Sequence, residues 1–222
     1  MKIVAIMPIK LHNKRCPNKN IRLLGQKPLL RYNLEVLKRI NSIDAIYVYC
    51  SDKKINNFID DDIVFLERSK KLDEDNTNFT EIFQEFINTI EADIYIYSHA
   101  TAPFLKESSI LKCLENVIKN GHDSSFTVTK IQDYLWTSDF KPLNFNPMLI
   151  SRSQDLEVIY RETSGVYVFK KEVFMKYKKR VGVNPKAVEV SFVESIDINT
   201  EEDFELASII VKNLKGDNYG GN

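Results

Sequence analysis

Short apolar runs alternate along the chain with longer stretches in which apolar residues recur at helical spacing. The short runs predict buried strands at residues 3–8, 45–50, 63–66, 93–97, 124–129, 165–169 and 188–193. The longer stretches carry their apolar residues on one face and predict helices at residues 28–40, 77–90, 108–119, 171–177 and 200–214. Thr200, with Asp203 three residues later, is typical of a capped helix N-terminus.

Strands that alternate with helices of about 10 to 15 residues predict an α/β fold, with a mainly parallel central sheet and helices on both faces. We expect one domain over residues 1–215 and a flexible tail over 216–222. Residues 9–26 form a long loop in this prediction, and residues 131–162 form an irregular extension. Ligands of such sheets bind beyond the carboxyl ends of the strands. The loops at Lys10, Ser51, His99 and Asp197 are therefore expected to share one edge.

Charge, apolar content and cysteine number limit the kinds of molecule that this protein is expected to bind. The 222 residues include 31 basic and 31 acidic side chains, so the formal net charge is zero, which argues against a general nucleic-acid binder. No apolar run approaches the roughly 20 residues of a membrane span, and the N-terminal run is too short for a secretory signal, so no membrane partner is expected. Three widely spaced cysteines, Cys16, Cys50 and Cys113, favour reduced thiols in a cytoplasmic protein.

A cluster of positive charge follows the first strand. Four cations lie within ten residues, namely Lys10, Lys14, Arg15 and Lys19. A nucleoside triphosphate carries about four negative charges, and cations with backbone amides commonly surround it. The loop lacks GxxxxGK[ST] and GxGxxG, so neither a P-loop nor a dinucleotide-binding turn is predicted. Charge by itself favours a solvated basic surface.

The loop also carries a family pattern. MPIKLHNKRCPNKNIRLLGQKPLL resembles the opening signature of the acylneuraminate cytidylyltransferase family, which includes synthetases of CMP-activated sugar acids such as CMP-Kdo. The matching residues are Pro17, Lys19, Asn20, Gly25, Pro28 and Leu29. Further similar segments follow in the family's order, at residues 45–52, Arg68, SHATAPFL (98–105), YRETSGVYVF (160–169) and SIDINTEEDFELA (195–207).

The resemblance implies a fold, a reaction and a set of site residues. The implied fold is nucleotide-diphospho-sugar transferase-like (Rossmann-like), and residues 131–162 would contribute to a homodimer. The implied reaction transfers CMP from CTP to a 2-keto sugar acid for cell-surface glycan synthesis, releases pyrophosphate and uses Mg²⁺. The residues implied to bind the nucleotide are Lys10, Asn13, Lys14, Lys19, Asn20, Arg68 and Thr80, with Thr77 as the alternative to Thr80. The residues implied to bind the acceptor are His99, Arg152, Arg161, Thr163 and Tyr167. The implied catalytic residues are Lys10, Lys19 and Asp197, and the implied metal ligands are Asp197 and Asn199.

Several of these residues also have structural explanations. Alternate residues of an extended segment point the same way, so Asp197 and Asn199 suit one Mg²⁺ ion, but they equally suit a helix cap. Arg152 and Arg161 could bind a carboxylate through bidentate hydrogen bonds, but they could equally be surface or interface residues. The run at residues 73–75 is interpreted as acidic residues that offset a helix dipole. Tyr134 and Trp136 fit a dimer contact or a small satellite core.

Four positions depart from the family pattern, and they keep alternatives open. Asn199 stands where the family has Asp, Lys10 where the sialic acid enzymes have Arg, His99 where they have Gln, and Thr163 where Asn is frequent. A sugar phosphate or phosphonate acceptor, or a non-catalytic nucleotide-binding homologue, therefore remains an alternative. A glycosyltransferase is disfavoured, because Asp60-Asp61-Asp62 precedes a strand rather than following one.

Overall fold

A seven-stranded sheet lies at the centre of the computed structural model, which describes residues 1–149 and 151–214. The strands are β1 (Ile3–Ile9), β4 (Ala45–Cys50), β5 (Val64–Glu67), β6 (Ile94–Ser98), β7 (Ser124–Ile131), β8 (Ile159–Lys170) and β9 (Pro185–Glu189). The short strands β2 (Leu23–Leu24) and β3 (Lys27–Pro28) pair separately. Residue 215 and the predicted tail at 216–222 lie outside the described residues.

The strands follow the order β5-β4-β1-β6-β8-β7-β9 across the sheet. β8 runs antiparallel to both its neighbours, and the other six strands share one direction. This arrangement confirms the predicted mainly parallel sheet. Ile9 pairs with Cys50, which pairs with Glu67, so three adjacent strands end at the same level. Lys10, Ser51 and Arg68 therefore leave the sheet side by side.

Helices cover both faces of this sheet, as predicted. They are α1 (Leu29–Lys38), α2 (Phe79–Thr89), α3 (Glu107–Ile118), α4 (Lys171–Tyr177) and α5 (Glu201–Leu214). Apolar residues of α1 and α3 pack in one core with Ala5 of β1, whereas those of α2 and α4 pack in another with the adjacent Ile6. Alternation along β1 sends neighbouring side chains to opposite faces. A third cluster joins α5 to β2 and the basic loop.

Side-chain caps fix where two helices begin. The Asn78 side chain accepts a hydrogen bond from the Glu81 amide at 3.2 Å, and the Glu81 carboxylate accepts one from the Asn78 amide at 2.9 Å. This capping box starts α2 at Phe79, so the predicted start at residue 77 is wrong. Thr200 and Asp203 cap α5 reciprocally, as expected. The first helix ends at Lys38 rather than at residue 40.

The C-terminal third differs most from the prediction. The predicted strand at 188–193 is wrong, because Pro185–Glu189 pairs with β7 at the sheet edge, where a proline is tolerated. The predicted strand at 165–169 is the buried end of the longer β8. Residues 131–162 are not irregular throughout, since β8 already begins at Ile159. A bulge near Ser164, whose φ is 58°, breaks the alternation that would have revealed the longer strand.

Within the described ranges, no helix combines the length and the apolar character that crossing a membrane requires.

Candidate active site

Two adjoining cavities lie beyond the ends of the parallel strands. The larger, of about 480 Å³, is lined by Lys10, His12, Asn13, Lys14, Pro17, Asn18, Asp73, Glu74 and Asp75. The second, of about 420 Å³, is lined by His12, Ser51, Asp52, Lys53, Glu67, Lys70 and Asp73. His12 and Asp73 belong to both linings, so the basic loop and the acidic 73–75 segment form facing walls. Basic and acidic side chains therefore face each other across these cavities.

Asp75 bridges two cations of the larger cavity. Lys10 Nζ donates to Asp75 Oδ1 at 3.0 Å, and Lys14 Nζ donates to the other carboxylate oxygen. The hydrogen bonds from Lys14 and Lys10 lower the pKa of Asp75, and the same bond to Asp75 raises the pKa of Lys14. The 73–75 segment precedes the capped start of α2 at Phe79. Its interpretation as a run that offsets the helix dipole is therefore wrong for Asp75, which pairs with the basic loop.

Lys19 ties the basic loop to the segment that contains Asp197. Asn18, at φ 54°, turns the chain into a short 3₁₀ helix at Lys19–Ile21. Lys19 is 7% exposed, and its Nζ donates to the Ile198 carbonyl at 2.6 Å. Burial lowers the pKa of Lys19, and the nearby Asp197 carboxylate opposes that shift. Asn20 Nδ2 donates to the Lys10 carbonyl at 2.9 Å, which fixes the loop to the end of β1.

Asp197 and Asn199 lie beside this lysine. Asn199 Nδ2 donates to Asp197 Oδ2 at 2.7 Å, and Arg15 Nη2 donates to Asn199 Oδ1 at 3.3 Å. Asp203, rather than Asp197, accepts hydrogen bonds from the free amides at the start of α5. Among the described residues, no group of three or more histidine, cysteine, aspartate or glutamate side chains is placed to hold a metal. The donor set at this point is one carboxylate and one amide.

Arg68 is a buried anchor at the second cavity. Its Nη2 donates to the Ile9 carbonyl at 3.0 Å and pairs with Asp73, which also accepts from Ser51 Oγ. Its Nε is buried and has no hydrogen-bond partner in the described part of the chain. Arg68 thus holds Asp73 on the wall that the two cavities share.

His99 follows β6 at the same edge of the sheet. Its amide donates to the Gly165 carbonyl at 3.1 Å, and its own carbonyl accepts from Asn33 Nδ2 at 2.5 Å. His99 Nε2 is buried without a hydrogen-bond partner among the described residues. Burial, assisted by the charge of Arg180, lowers the pKa of His99 to about 4, against an opposing effect of Asp197. A neutral imidazole with one free nitrogen therefore faces this region.

Tyr167, another predicted acceptor residue, lies close to His99, with ring centroids 6.4 Å apart. Its hydroxyl donates to Glu162 and accepts from Arg180 Nη2 at 2.9 Å. Tyr167 is fully buried, so these contacts fix its ring.

The remaining predicted residues have other partners. Thr163 shares a 2.6 Å hydrogen bond with the Thr127 hydroxyl, and Arg161 Nη2 donates to Ser195 Oγ at 3.2 Å.

Two predicted residues lie on more exposed contacts. Arg152 makes two hydrogen bonds to Asp155, at 2.9 and 3.3 Å, and Thr80 Oγ1 donates to the Lys178 carbonyl at 3.0 Å. Their roles toward a ligand stay predictions.

The sequence reasoning missed four residues that form this region. His12, Asp73 and Asp75 line the cavities, and Arg180 lies on Tyr167. The acidic pair carried a signal, since it follows Arg68 within seven residues, but it was assigned to a helix terminus. Arg180 ends a basic run, KYKKR, that looks like solvated surface until its long-range contacts are known.

Comparison with known proteins places these features in a family. A sequence model of the cytidylyltransferases matches residues 4–217. The pseudaminic acid cytidylyltransferase of Campylobacter jejuni subsp. jejuni serotype O:2 is 26% identical, over 96% of this chain and 97% of the relative. The N-acylneuraminate cytidylyltransferase A of Danio rerio is 24% identical, over 92% of this chain and 50% of that protein.

Solved structures support the fold. The CMP:2-keto-3-deoxy-manno-octonic acid synthetase complexed with CTP superposes with a TM-score of 0.71 at 14% identity, over 96% of this chain and 99% of that one. The 4-diphosphocytidyl-2C-methyl-D-erythritol synthase of Anaerococcus prevotii gives 0.66 at 18% identity, over 95% and 96%. At these identities the likeness shows that this chain shares their fold.

Proposed function

The chain belongs to the cytidylyltransferase family, and from this premise we propose that it transfers CMP from CTP to a sugar acid and releases pyrophosphate. The observation that carries the proposal is the cavity between the basic loop and the acidic segment. Lys10 and Lys14 face it together, and Lys19 connects the loop to Asp197. The names of the similar enzymes, which act on pseudaminic and acylneuraminic acids, support a sugar acid as the acceptor.

The nucleotide end of the proposed site is the basic loop. Lys10 and Lys14 would exchange Asp75 for the triphosphate, because both lysines already bind an anion there. Lys19, Asn20 and Asn13 would hold the loop against the phosphates, while Arg68 and Thr80 would serve the nucleoside part.

The proposed reaction needs positioning and charge more than covalent chemistry. The acceptor hydroxyl oxygen attacks the α-phosphorus of CTP, which forms the phosphoester bond of the product and breaks the bond to pyrophosphate. Lys10, Lys14 and Lys19 stabilise the negative charge that develops on the leaving group. Asp197 lies next to Lys19, so the transferred phosphate and the acceptor would meet at this point. Preorganised charges of this kind supply much of the rate gain of such enzymes.

Mg²⁺ is the cofactor that we propose for this reaction. Asp197 with the Asn199 amide oxygen offers hard oxygen ligands, which suit Mg²⁺ when substrate phosphates and water complete its shell. A bound Mg²⁺ ion would supply positive charge to the phosphate oxygens. Asn199 would need to turn its amide, because its oxygen now pairs with Arg15.

We further propose that the protein is a cytoplasmic homodimer. Residues of the 131–162 extension expose large apolar side chains, notably Phe140 at 84% and Met148 at 86%. Several exposed large apolar side chains in one segment are the starting point for an interaction surface, and a second copy of the chain is the proposed occupant. Cys16, Cys50 and Cys113 are free buried thiols, which suits a reducing compartment.

Pyrophosphate release tests the proposed function. The purified protein is incubated with Mg²⁺, each of the four nucleoside triphosphates, and N-acetylneuraminate, pseudaminate, Kdo or a sugar phosphate. We expect release with CTP and a sugar acid, and none without the acceptor. Release with a sugar phosphate alone would move the function to the alternative acceptor class. CTP binding without turnover of any acceptor would identify a non-catalytic homologue.

A further inference from the structure

Arg180 lies against Tyr167, whose ring centroid is 6.4 Å from that of His99. Its Cζ lies 3.7 Å from the centroid of the Tyr167 ring, and its Nη2 donates to the Tyr167 hydroxyl at 2.9 Å. Its guanidinium also lies 5.4 Å from the ring centroid of Phe79, the first residue of α2. The backbone two residues earlier is held by the hydrogen bond from Thr80 to the Lys178 carbonyl. Stacking and hydrogen bonding together orient the planar guanidinium.

The neighbours of Arg180 point to a ligand. Tyr167 is in contact distance of His99, whose Nε2 is buried and lacks a partner in the described ranges. A buried nitrogen without a hydrogen bond is costly, so a ligand hydroxyl that satisfies it gains affinity. Burial and the charge of Arg180 keep the pKa of His99 low, so the imidazole stays neutral. The subsite therefore combines one fixed cation with one neutral hydrogen-bonding ring.

Glu162 forms an ion pair with Arg180 in the ligand-free protein. Its carboxylate lies 3.5 Å from Arg180 Nη2 and also accepts the hydroxyl of Tyr167. The Glu162 side chain is half-exposed, and a half-exposed ion pair contributes little. An incoming carboxylate can exchange with it at low cost, much as a triphosphate would exchange with Asp75.

Arg161 and Arg152 are less suited to this role. Arg161 donates to Ser195, whereas the adjacent Glu162 reaches Tyr167, so neighbouring residues of β8 point to different surroundings. Arg152 is exposed and forms two hydrogen bonds to Asp155. Arg180 is instead in direct contact with the ring that His99 also approaches.

Resting on the proposed function, we propose that Arg180 is the specificity-determining residue that binds the carboxylate of the acceptor. The planar guanidinium pairs with a carboxylate through two parallel hydrogen bonds, and Glu162 moves aside. His99 Nε2 bonds a hydroxyl of the same acceptor. The sugar acid thus binds at the guanidinium that covers the buried Tyr167 ring, and its carboxylate is recognised by a residue outside the segment that resembles the family pattern.

A comparison of free acid and methyl ester tests this assignment. Steady-state turnover is measured with N-acetylneuraminate and its methyl ester for the wild type, Arg180→Met, Arg180→Lys and Glu162→Gln. Arg39→Met, at the exposed arginine that directly follows α1, is the control. The CTP dissociation constant of every variant is measured by calorimetry, because a folding defect would alter it as well. The full series is repeated with pseudaminate and Kdo.

We expect Arg180→Met to raise the acceptor KM by about 10- to 100-fold, as loss of a charged hydrogen bond predicts, with unchanged CTP affinity. The wild type should prefer the free acid to the ester, and Arg180→Met should lose this preference. Arg180→Lys should recover part of it. A preference that persists in Arg180→Met, or a parallel loss of CTP affinity, would overturn the assignment.

The same experiment distinguishes a wrong role for Arg180 from a wrong function of the protein. Wild-type turnover of sugar acids together with an unaffected Arg180→Met variant leaves the function standing and removes Arg180 from it. If the wild type uses a sugar phosphate instead, the acceptor class is wrong, and the assignment of Arg180 to an acceptor carboxylate fails with it. If no acceptor of the panel is used, both statements fail, and CTP binding alone remains.

Discussion

In the ligand-free site, Asp75 pairs with two positive charges of the basic loop. Its carboxylate binds Lys10 and Lys14, the two cations that the proposed triphosphate would need. Asp75→Asn removes this competing anion, so CTP should bind about two- to fivefold more tightly, as expected for an exposed ion pair. Calorimetry without Mg²⁺ measures the change. Asp139→Asn is the matched control, because Asp139 pairs with Lys141 and is 57% exposed, against 58% for Asp75. Weaker CTP binding by Asp75→Asn would show that Asp75 organises the lysines instead.

His99 predicts a pH dependence of stability. Its folded pKa of about 4 lies below the ordinary value of 6.5, so between these values the unfolded chain binds more protons. The resulting stability is complete above about pH 6.5 and is lost as the pH falls toward 4. From pH 7 to pH 5 the wild type should lose about 2 kcal/mol more unfolding free energy than His99→Gln. Urea unfolding at both pH values measures this difference, and His12 and His122 are common to both proteins. Equal losses would mean that His99 titrates normally.

At the scale of elements, the basic loop is held in place by Lys19. Its buried amine links the 3₁₀ turn of the loop to the Ile198 carbonyl, between Asp197 and Asn199. Lys19→Ala should weaken CTP binding by about 100-fold, since it removes a charged contact and the anchor of the loop. Calorimetry checks the affinity, and thermal unfolding reports any loss of fold. Lys112→Ala, at an exposed lysine of α3 outside the site and the extension, should leave both unchanged. Normal CTP binding by folded Lys19→Ala would remove the triphosphate from this loop.

The elements also show how far sequence reasoning reaches. Strong apolar runs such as β1, β4 and β6 were placed within a residue or two, because buried parallel strands are nearly continuous in apolar residues. The direction of β8 was not predictable, since periodicity carries no information about strand orientation. Its outer half is polar and bulged, and such a pattern predicts an irregular segment rather than a strand.

The sequence predicts the residues of the site that are close together in the chain, but not their partners from distant segments. Lys10, Lys14 and Lys19 were found because they lie together in sequence. Their partners Asp75 and Ile198 are distant in sequence and were not assigned to them. Arg180 reaches Tyr167 and Phe79 only through tertiary packing, which no local pattern reports.

At the scale of the whole molecule, the exposed apolar side chains of the extension predict a dimer. Phe140→Asp places a charge where the second copy would pack, so a dimeric wild type should become monomeric. Analytical ultracentrifugation measures the mass of each protein. Ile209→Asp, which changes an exposed apolar residue of α5, is the control and should leave the mass unchanged. A monomeric wild type would contradict the proposed interface.

The central claim is that the acceptor hydroxyl attacks the α-phosphorus of CTP. The most direct measurement is mass spectrometry of the product formed from CTP and N-acetylneuraminate, pseudaminate or Kdo carrying ¹⁸O at the anomeric hydroxyl. We predict an adduct of CMP and the sugar acid that retains the label, formed in equal amount with pyrophosphate. An adduct that has lost the label, or CTP consumption that yields free CMP and no adduct, would contradict the account.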